Sequence, residues 1–142
     1  MERADRAWDD TLDKHSTWCY VFGIAYRVFK TAWFTRAARK ARISDHKLCK
    51  ASAQVALGQA DDLGGGVFKK RLNYNRHRSI ILAKAGEFWV YTYLFAKQDR
   101  ANIDDDELAA FRKLAELYRK KTADALAAEL ESGALVEICN GN

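Results

Sequence analysis

The segment between Val67 and Arg78 carries the residue types best suited to chemistry on a phosphate group. It contains five lysines and arginines and no acidic residue, and His77 lies among them. Lysine and arginine donate charge-assisted hydrogen bonds to phosphate oxygens. Histidine, with an ordinary pKa of about 6.5, exchanges protons near neutral pH. These residues therefore indicate phosphate binding with proton transfer beside it. Because arginines surround His77, we expect a lowered pKa and a neutral side chain that can act as a base.

The stretch "VFKKRL" predicts how a strand would orient these cations. Side chains alternate between the two faces of a strand, and Phe68 and Leu72 are suited to a core. Lys70 shares their face and is expected near an edge, where its stem can cover apolar surface. The opposite face then points outward, and the next strand returns two arginines to it. The predicted outward patch holds four cations, which are Lys69, Arg71, Arg76 and Arg78.

Three consecutive glycines, Gly64 to Gly66, precede this strand. A phosphate-binding loop would need a Lys-Ser or Lys-Thr pair after the glycines and a helix behind them. Here Val67 and Phe68 follow, and they begin a strand-like run. The glycines are therefore predicted to form a left-handed or flexible turn into the sheet, where a Cβ would clash.

The elements before the basic segment are predicted to be a strand and two helices. "AYRVFKTAW", residues 25–33, has the composition of a strand, and residues 35–41 form a short helix. Ser44 is suited to cap a longer helix that ends near Gly58.

The rest of the chain predicts a meander followed by helices. Residues 67–95 are rich in β-branched and aromatic residues, with "NYNRH" as the first turn and Ala85-Gly86 as the second. Asp104 and Glu107 have the spacing of a capping box. A second helix, residues 122–133, and the strand "LVEI" follow. The predicted fold is α+β, with an N-terminal helix pair packed on a small antiparallel sheet and with C-terminal helices.

Charge is distributed unevenly along the 142 residues, whose net charge is +5. Between Arg27 and Lys50 there are eight basic residues and one acid, whereas between Asp104 and Glu131 there are five basic and eight acidic residues. A basic first part of this kind is typical of a surface that binds a polyanion. No apolar run reaches the ~18 residues of a membrane span.

Three cysteines, Cys19, Cys49 and Cys139, form no C-x-x-C pair, and their odd number argues against a disulfide framework. They are most consistent with a reducing cytoplasm. His46 and Cys49 are three residues apart on a predicted helix, but two ligands do not make a zinc site. We predict no metal and no cofactor.

Several separated blocks of the sequence resemble one known family. The blocks are "YRVFKTAWF", "ISDHKLCKA", "DLGGGVFKKRL", "RHRSIILA", "FWVYTYLFAKQDRANI", "ELAAFRKLA" and "LVEI". These blocks occur in the same order as in the RelE/HigB toxins of bacterial type II toxin–antitoxin modules, within the RelE/ParE superfamily. The resemblance covers residues 26–138. Residues 1–25 lie outside the resemblance. They are predicted to be either an extra element that packs on the domain or the product of an upstream start that native translation does not use.

The resemblance implies a ribosome-dependent mRNA endoribonuclease (mRNA interferase) that inhibits translation. Attack of a ribose 2′-hydroxyl on the adjacent phosphate would leave a 2′,3′-cyclic phosphate and a 5′-hydroxyl, without a metal. One alternative is a ParE-like toxin that inhibits a partner such as gyrase without cleaving RNA. Another is a catalytically degenerate nucleic-acid-binding module. The implied partners are mRNA on the ribosome and a cognate antitoxin, often a helix-turn-helix DNA-binding protein, with a cytoplasmic location and no membrane.

The resemblance also implies roles for particular residues. The family's catalytic cations fall on Lys69, Arg71 and Arg78, and a later basic cluster falls on Lys97 and Arg100. The complete predicted catalytic set is Lys69, Arg71, Arg78, His77 and Lys97, and the predicted RNA-binding set is Lys70, Arg76, Arg100 and Tyr93. The family usually has an aromatic residue at position 77, so His77 is alternatively a stacking or turn residue. Tyr74, Tyr91 and Tyr93 are each alternative acids, base-stacking platforms or simply packed residues.

Overall fold

The computed structural model describes residues 27–84 and 87–139 of the chain. Its order of elements is β1 (Arg27–Thr31), α1 (Ala32–Lys40), α2 (Asp45–Ala56), β2 (Asp61–Gly64), β3 (Val67–Leu72), β4 (His77–Lys84), β5 (Phe88–Ala96), α3 (Asp105–Lys120), α4 (Ala123–Ser132) and β6 (Leu135–Ile138). The six strands form one sheet in the order β2-β3-β4-β5-β1-β6. The predicted α+β class with helices packed on a sheet is confirmed.

Each face of the sheet packs against its own pair of helices. On one face, Phe34 of α1 and Leu48 of α2 join a buried apolar cluster with Ile81 and Tyr91 of the sheet. On the other face, the helices α3 and α4 bury apolar side chains against β1, β3, β4 and β5. The sheet is therefore the middle layer of three, and a functional site must lie at its edges or ends.

The start of the fold differs in detail from the prediction. The Thr31 hydroxyl accepts a hydrogen bond from the Phe34 backbone N–H at 3.0 Å, so Thr31 caps α1. The strand β1 therefore ends before Trp33, and the helix begins at Ala32 rather than near residue 35. The cap at Ser44 is confirmed, because its side chain accepts from the Lys47 backbone N–H.

The sheet is mixed, whereas the prediction was an antiparallel sheet. The strand β1 runs parallel to β5 and antiparallel to β6. Parallel pairing joins strands that a long connection separates, so local sequence patterns do not reveal it. The meander of β3, β4 and β5 is confirmed as antiparallel, with β4 beginning at His77 inside the predicted turn. The predicted turn at Ala85-Gly86 lies outside the described residues, as does everything predicted for residues 1–25.

The glycine triplet has the structural role that we predicted. Gly64, Gly65 and Gly66 have φ values of +85°, +66° and +84°, and they turn the chain from β2, a strand that the sequence analysis missed, into β3. A Cβ on Gly65 would lie 2.8 Å from Cγ of Arg112 on α3. The guanidinium of Arg112 donates to the Leu63 carbonyl, so a side chain of α3 holds the turn.

The C-terminal helices begin and end where local signals predicted. Asp104 accepts from the Glu107 backbone N–H at 2.8 Å and Glu107 accepts from the Asp104 backbone N–H at 2.9 Å, which completes the capping box. Thr122 caps α4, and Gly133 follows that helix with a φ of +86°. Within the described ranges, no helix is long and apolar enough to cross a membrane.

Two further expectations from the sequence are wrong. The face of β3 that carries Val67 was predicted to point outward. In the structure Val67 is fully buried, in an apolar cluster that includes Ala115 and Tyr118 of α3. Cys49 and Cys139 form a disulfide, although the odd number of cysteines argued against one. These two residues are 90 positions apart, so only the packing of α2 against the end of β6 brings them together.

Candidate nucleic-acid interface

The predicted cations lie around the end of the β3–β4 hairpin, but on two faces of the sheet. Arg71 pairs with Arg78 across the strands, and Leu72 pairs with His77 one step further along. Because side chains alternate, Arg71 and Arg78 belong to the face that α3 covers. His77 belongs to the opposite face, with Lys70 and Leu72. The structure therefore divides the set that the sequence analysis treated as one patch.

Lys69 has an acidic neighbour that the segment itself does not contain. Its Nζ lies 3.8 Å from Oδ2 of Asp61, which pairs with it on the neighbouring strand β2. The Lys69 ammonium also donates to Oδ1 of Asn102 at 3.4 Å. The Lys69 side chain is only 16% exposed. An incoming phosphate would therefore meet a lysine that is already oriented by two side chains.

Arg78 stabilises the turn at the end of the hairpin. Its side chain is buried, and Nη1 donates to the backbone carbonyls of Asn75 at 3.0 Å and His77 at 3.3 Å. No carboxylate among residues 27–84 and 87–139 forms a salt bridge with Arg78. The positive charge is thus placed beside the turn without a salt bridge to any acid in the described ranges.

His77 is partly buried, and its pKa is lowered from the ordinary value, as the sequence predicted. Burial is the main cause and the neighbouring Arg76 is the second, while Asp99 opposes them. Nδ1 of His77 lies 3.2 Å from Nδ2 of Asn73. With the amide in this orientation Nδ1 accepts the hydrogen bond, and Nε2 carries the proton of the neutral ring. The environment favours the neutral form that a base requires.

Lys70 also has a lowered pKa, chiefly because of burial and secondarily because of the charge of Arg71. Its Nζ donates to the backbone carbonyl of Gln59 at 2.9 Å. Lys70 is therefore partly sequestered at the edge of the sheet, with its charge directed toward the segment that connects α2 to β2.

Three open grooves run around the hairpin. The tip groove, of about 510 Å³, is lined by residues 74–77 and 96–98. The helix groove, of about 300 Å³, lies between α2 and residues 71–74. The edge groove, of about 390 Å³, lies between residues 58–61 and residues 69–71. Tyr74 lines both the tip and helix grooves, and Arg71 lines both the helix and edge grooves.

We call these three grooves, which share Tyr74 and Arg71 as lining residues, the basic path. One acid, Asp61, lines the path. Its cations are Lys47, Lys50, Lys69, Lys70, Arg71, Arg76 and Lys97. The tip groove is held together by the Lys97 backbone N–H, which donates to the Arg76 carbonyl at 2.8 Å. A row of neighbouring grooves with this charge is suited to the backbone of a single-stranded nucleic acid.

Arg100 and Tyr93, both predicted to bind RNA, line none of these grooves. Arg100 makes two hydrogen bonds to the carboxylate of Glu107, at 2.5 and 3.0 Å, and donates to the Tyr93 hydroxyl at 3.4 Å. The hydrogen bond to Glu107 is the main reason that the pKa of Arg100 is raised. Tyr93 stacks on Trp33, with ring centroids 5.1 Å apart. Both residues are thus engaged within the protein.

The helix α2 contributes cations that the sequence pattern did not assign to the site. Lys47 and Lys50 were counted in the basic first part of the chain but were not assigned to a site. The helix α2 brings them beside the hairpin, where they line the helix groove.

The structure also rules out contact between Tyr91 and a substrate. Tyr91 is fully buried, and its hydroxyl donates to the Leu48 carbonyl at 2.7 Å. Among the described residues, no group of three histidine, cysteine or acidic side chains could hold a metal ion.

Comparison with known proteins assigns this basic α+β domain to a class of toxins. A family model described as the RelE toxin of the RelE/RelB toxin–antitoxin system matches residues 26–138. The matched range contains every described strand and helix. The chain belongs to the RelE toxin family, and membership implies a cognate antitoxin. No curated protein and no solved structure matched the chain.

Proposed function

We propose that the protein is a ribosome-dependent mRNA endoribonuclease that inhibits translation. The observation that carries this proposal is the basic path, in which seven cations and one acid of the described residues line three neighbouring grooves. Cationic side chains bind the phosphates of RNA and stabilise the charge that develops when a phosphate is attacked. Membership of a toxin family whose members generally cleave mRNA supports the same activity.

The proposed reaction is attack of a ribose 2′-hydroxyl on the adjacent phosphorus atom. A base removes the hydroxyl proton, the O2′–P bond forms, and the P–O5′ bond breaks while O5′ takes up a proton. The products are a 2′,3′-cyclic phosphate and a 5′-hydroxyl. No oxidation state changes, so no oxidant or reductant is required, and the proposed reaction proceeds without a metal or a cofactor. The protein must supply the base, the acid and the cations around the phosphate.

His77 is the proposed base, because its lowered pKa keeps the ring neutral and it lines the tip groove with Arg76 and Lys97. Removal of a proton by Nε2 requires the tautomer in which Nδ1 carries the hydrogen. Asn73 supports this tautomer once its amide rotates, because Oδ1 then accepts from Nδ1. Lys97, Arg76 or both would hold the non-bridging oxygens in the same groove.

The remaining predicted residues have supporting roles in the proposal. Lys69 and Arg71 extend the cationic surface into the edge groove, and Arg78 holds the turn that carries Arg76 and His77. RNA contacts by Lys70, Arg100 and Tyr93 stay predictions. The proposed target places the protein in the cytoplasm. A helix-turn-helix antitoxin that covers the basic path is the proposed partner.

The test is primer extension on mRNA in a cell-free translation reaction. The variants are Lys69→Ala/Arg71→Ala/Arg78→Lys for the α3 face of the hairpin and His77→Gln/Lys97→Ala for the tip groove. Arg78→Lys keeps the buried charge, which reduces the risk of unfolding the turn. The matched control removes three exposed cations outside the path, Arg36, Lys113 and Lys120.

We expect translation-dependent cuts with the wild type and with the control. The His77→Gln/Lys97→Ala variant should lose at least about 100-fold in cleavage activity, because general acid–base catalysis contributes at least that factor. Cuts that persist in both site variants would contradict the proposal. Translation arrest without cuts would instead favour a toxin that inhibits a partner, and salt-sensitive RNA binding without arrest would favour a degenerate binding module.

A further inference from the structure

Tyr74 projects from the turn between β3 and β4 and is 82% exposed. It is the most exposed large apolar side chain in the described part of the chain. An aromatic ring that contributes so little to the core gains no stability from burial. Packing in the core therefore does not explain why a tyrosine occupies this position.

The backbone of this turn presents the ring in an unusual conformation. Asn73, Tyr74 and Asn75 have φ values of +55°, +57° and +69°, three consecutive residues in the left-handed region. Asparagine tolerates this region, whereas a bulky residue rarely adopts it. Side chains hold the turn in place, because Asn73 contacts the His77 ring and Arg78 donates to the Asn75 carbonyl. The exposed ring is thus fixed on a strained and well-supported turn.

Two cations, from α2 and from the turn itself, lie near the Tyr74 ring. Nζ of Lys47 lies 5.4 Å from the ring centroid, and the guanidinium carbon of Arg76 lies 5.9 Å from it. The ring also stands where the tip groove meets the helix groove. A nucleotide chain that passes from one groove to the other would therefore have to cross the ring.

We propose that Tyr74 is a stacking platform for one base of a single-stranded RNA. The phosphates on either side of that base lie in the tip groove and the helix groove, beside Arg76 and Lys47. Aromatic stacking accepts any base, so Tyr74 contributes affinity and fixes the position of the strand without selecting a sequence. The proposal rests on the proposed function, because it assumes that the basic path binds RNA.

The test measures binding of an eight-nucleotide oligouridylate and of inorganic polyphosphate to the full chain, by fluorescence anisotropy and competition. Tyr74→Asn removes the ring and suits the left-handed backbone, so loss of folding does not confuse the result. Tyr74→Phe keeps the ring. Leu117→Asn, at another exposed apolar position outside the grooves, is the control.

We expect Tyr74→Asn to weaken RNA binding by about 5-fold to 100-fold, with no change in the salt dependence and no change in polyphosphate binding. Tyr74→Phe and Leu117→Asn should bind RNA as the wild type does. Equal RNA binding by Tyr74→Asn and wild type, or an equal loss in Tyr74→Phe, would overturn the stacking role. Wild-type protein that binds polyphosphate but not RNA would overturn it as well. None of these results decides cleavage, which the translation reaction tests separately.

Discussion

Arg71 and Arg78 lie directly opposite each other on β3 and β4, and neither forms a salt bridge with a described residue. Like charges in this arrangement destabilise a strand pair. In the proposed function, an RNA phosphate beside the exposed guanidinium of Arg71 would relieve this repulsion.

Neutralising the exposed member of this pair should stabilise the fold while weakening function. We expect Arg71→Gln to raise the free energy of unfolding by about 0.2–1 kcal/mol at low salt and to weaken RNA binding. Urea denaturation at 50 and 500 mM NaCl should show that salt reduces the difference, because ions screen the repulsion. Arg36→Gln is the control. A destabilised Arg71→Gln variant would show that Arg71 has a packing role instead.

The pH dependence of cleavage should report His77. Because burial and Arg76 lower its pKa, the side chain stays neutral at pH 7 and gains a proton only below the ordinary value of 6.5. If His77 is the base, cleavage should change little between pH 8 and pH 7 and decline as the pH falls below 6.5. His77→Gln should lose this acidic decline together with most of the activity. An unchanged profile in the variant would assign the base to another group.

His77 should also make the folded protein less stable as the pH falls. The unfolded chain binds the proton more tightly than the folded one, so folding stability falls as the pH drops through 6.5 toward the lowered pKa. Urea denaturation at pH 5.5 and 7.5 should therefore show a smaller pH effect in His77→Gln than in the wild type. A larger effect in the variant would contradict the direction of the shift.

Glu107 should be a structural carboxylate whose loss affects stability at neutral pH. Its pKa is lowered, first by the hydrogen bond from Arg100 and then by the backbone of Asp104. Its contribution is therefore present above the ordinary value of 4.5 and lost as the pH falls through the lowered pKa. We expect Glu107→Gln to lower the Tm at pH 7 and to flatten the acid-induced loss of stability. Glu116→Gln, which breaks only the exposed pair with Lys120, should have a smaller effect.

The disulfide between Cys49 and Cys139 should contribute strongly to stability in the oxidised protein. Closing a loop of this length reduces the entropy of the unfolded chain, which corresponds to about 4–5 kcal/mol. Dithiothreitol should lower the midpoint of urea unfolding, and it should have no effect on Cys49→Ser/Cys139→Ser. A wild-type midpoint that does not respond to dithiothreitol would show that the bond adds no stability. In a reducing cytoplasm the two thiols would remain separate.

Local features were predictable because they depend on neighbouring residues. The caps at Ser44, Asp104 and Thr122 and the turn at Gly133 were read correctly, since a cap needs only a side chain and the backbone a few residues away. The concentration of cations between Val67 and Arg78 was equally visible. The strand β2 was missed, because its four residues pair with β3 through a glycine turn and have little apolar pattern of their own.

The sequence by itself determined the class of fold, most element boundaries and the segment that carries the cations. Only the tertiary structure decided what each cation contacts. It placed Asp61 beside Lys69, paired Arg100 with Glu107, and brought Lys47 and Lys50 of α2 beside the hairpin. Such contacts join residues of different strands, helices and connecting segments. They depend on how the helices and strands pack on both faces of the sheet, which no local pattern of residues encodes.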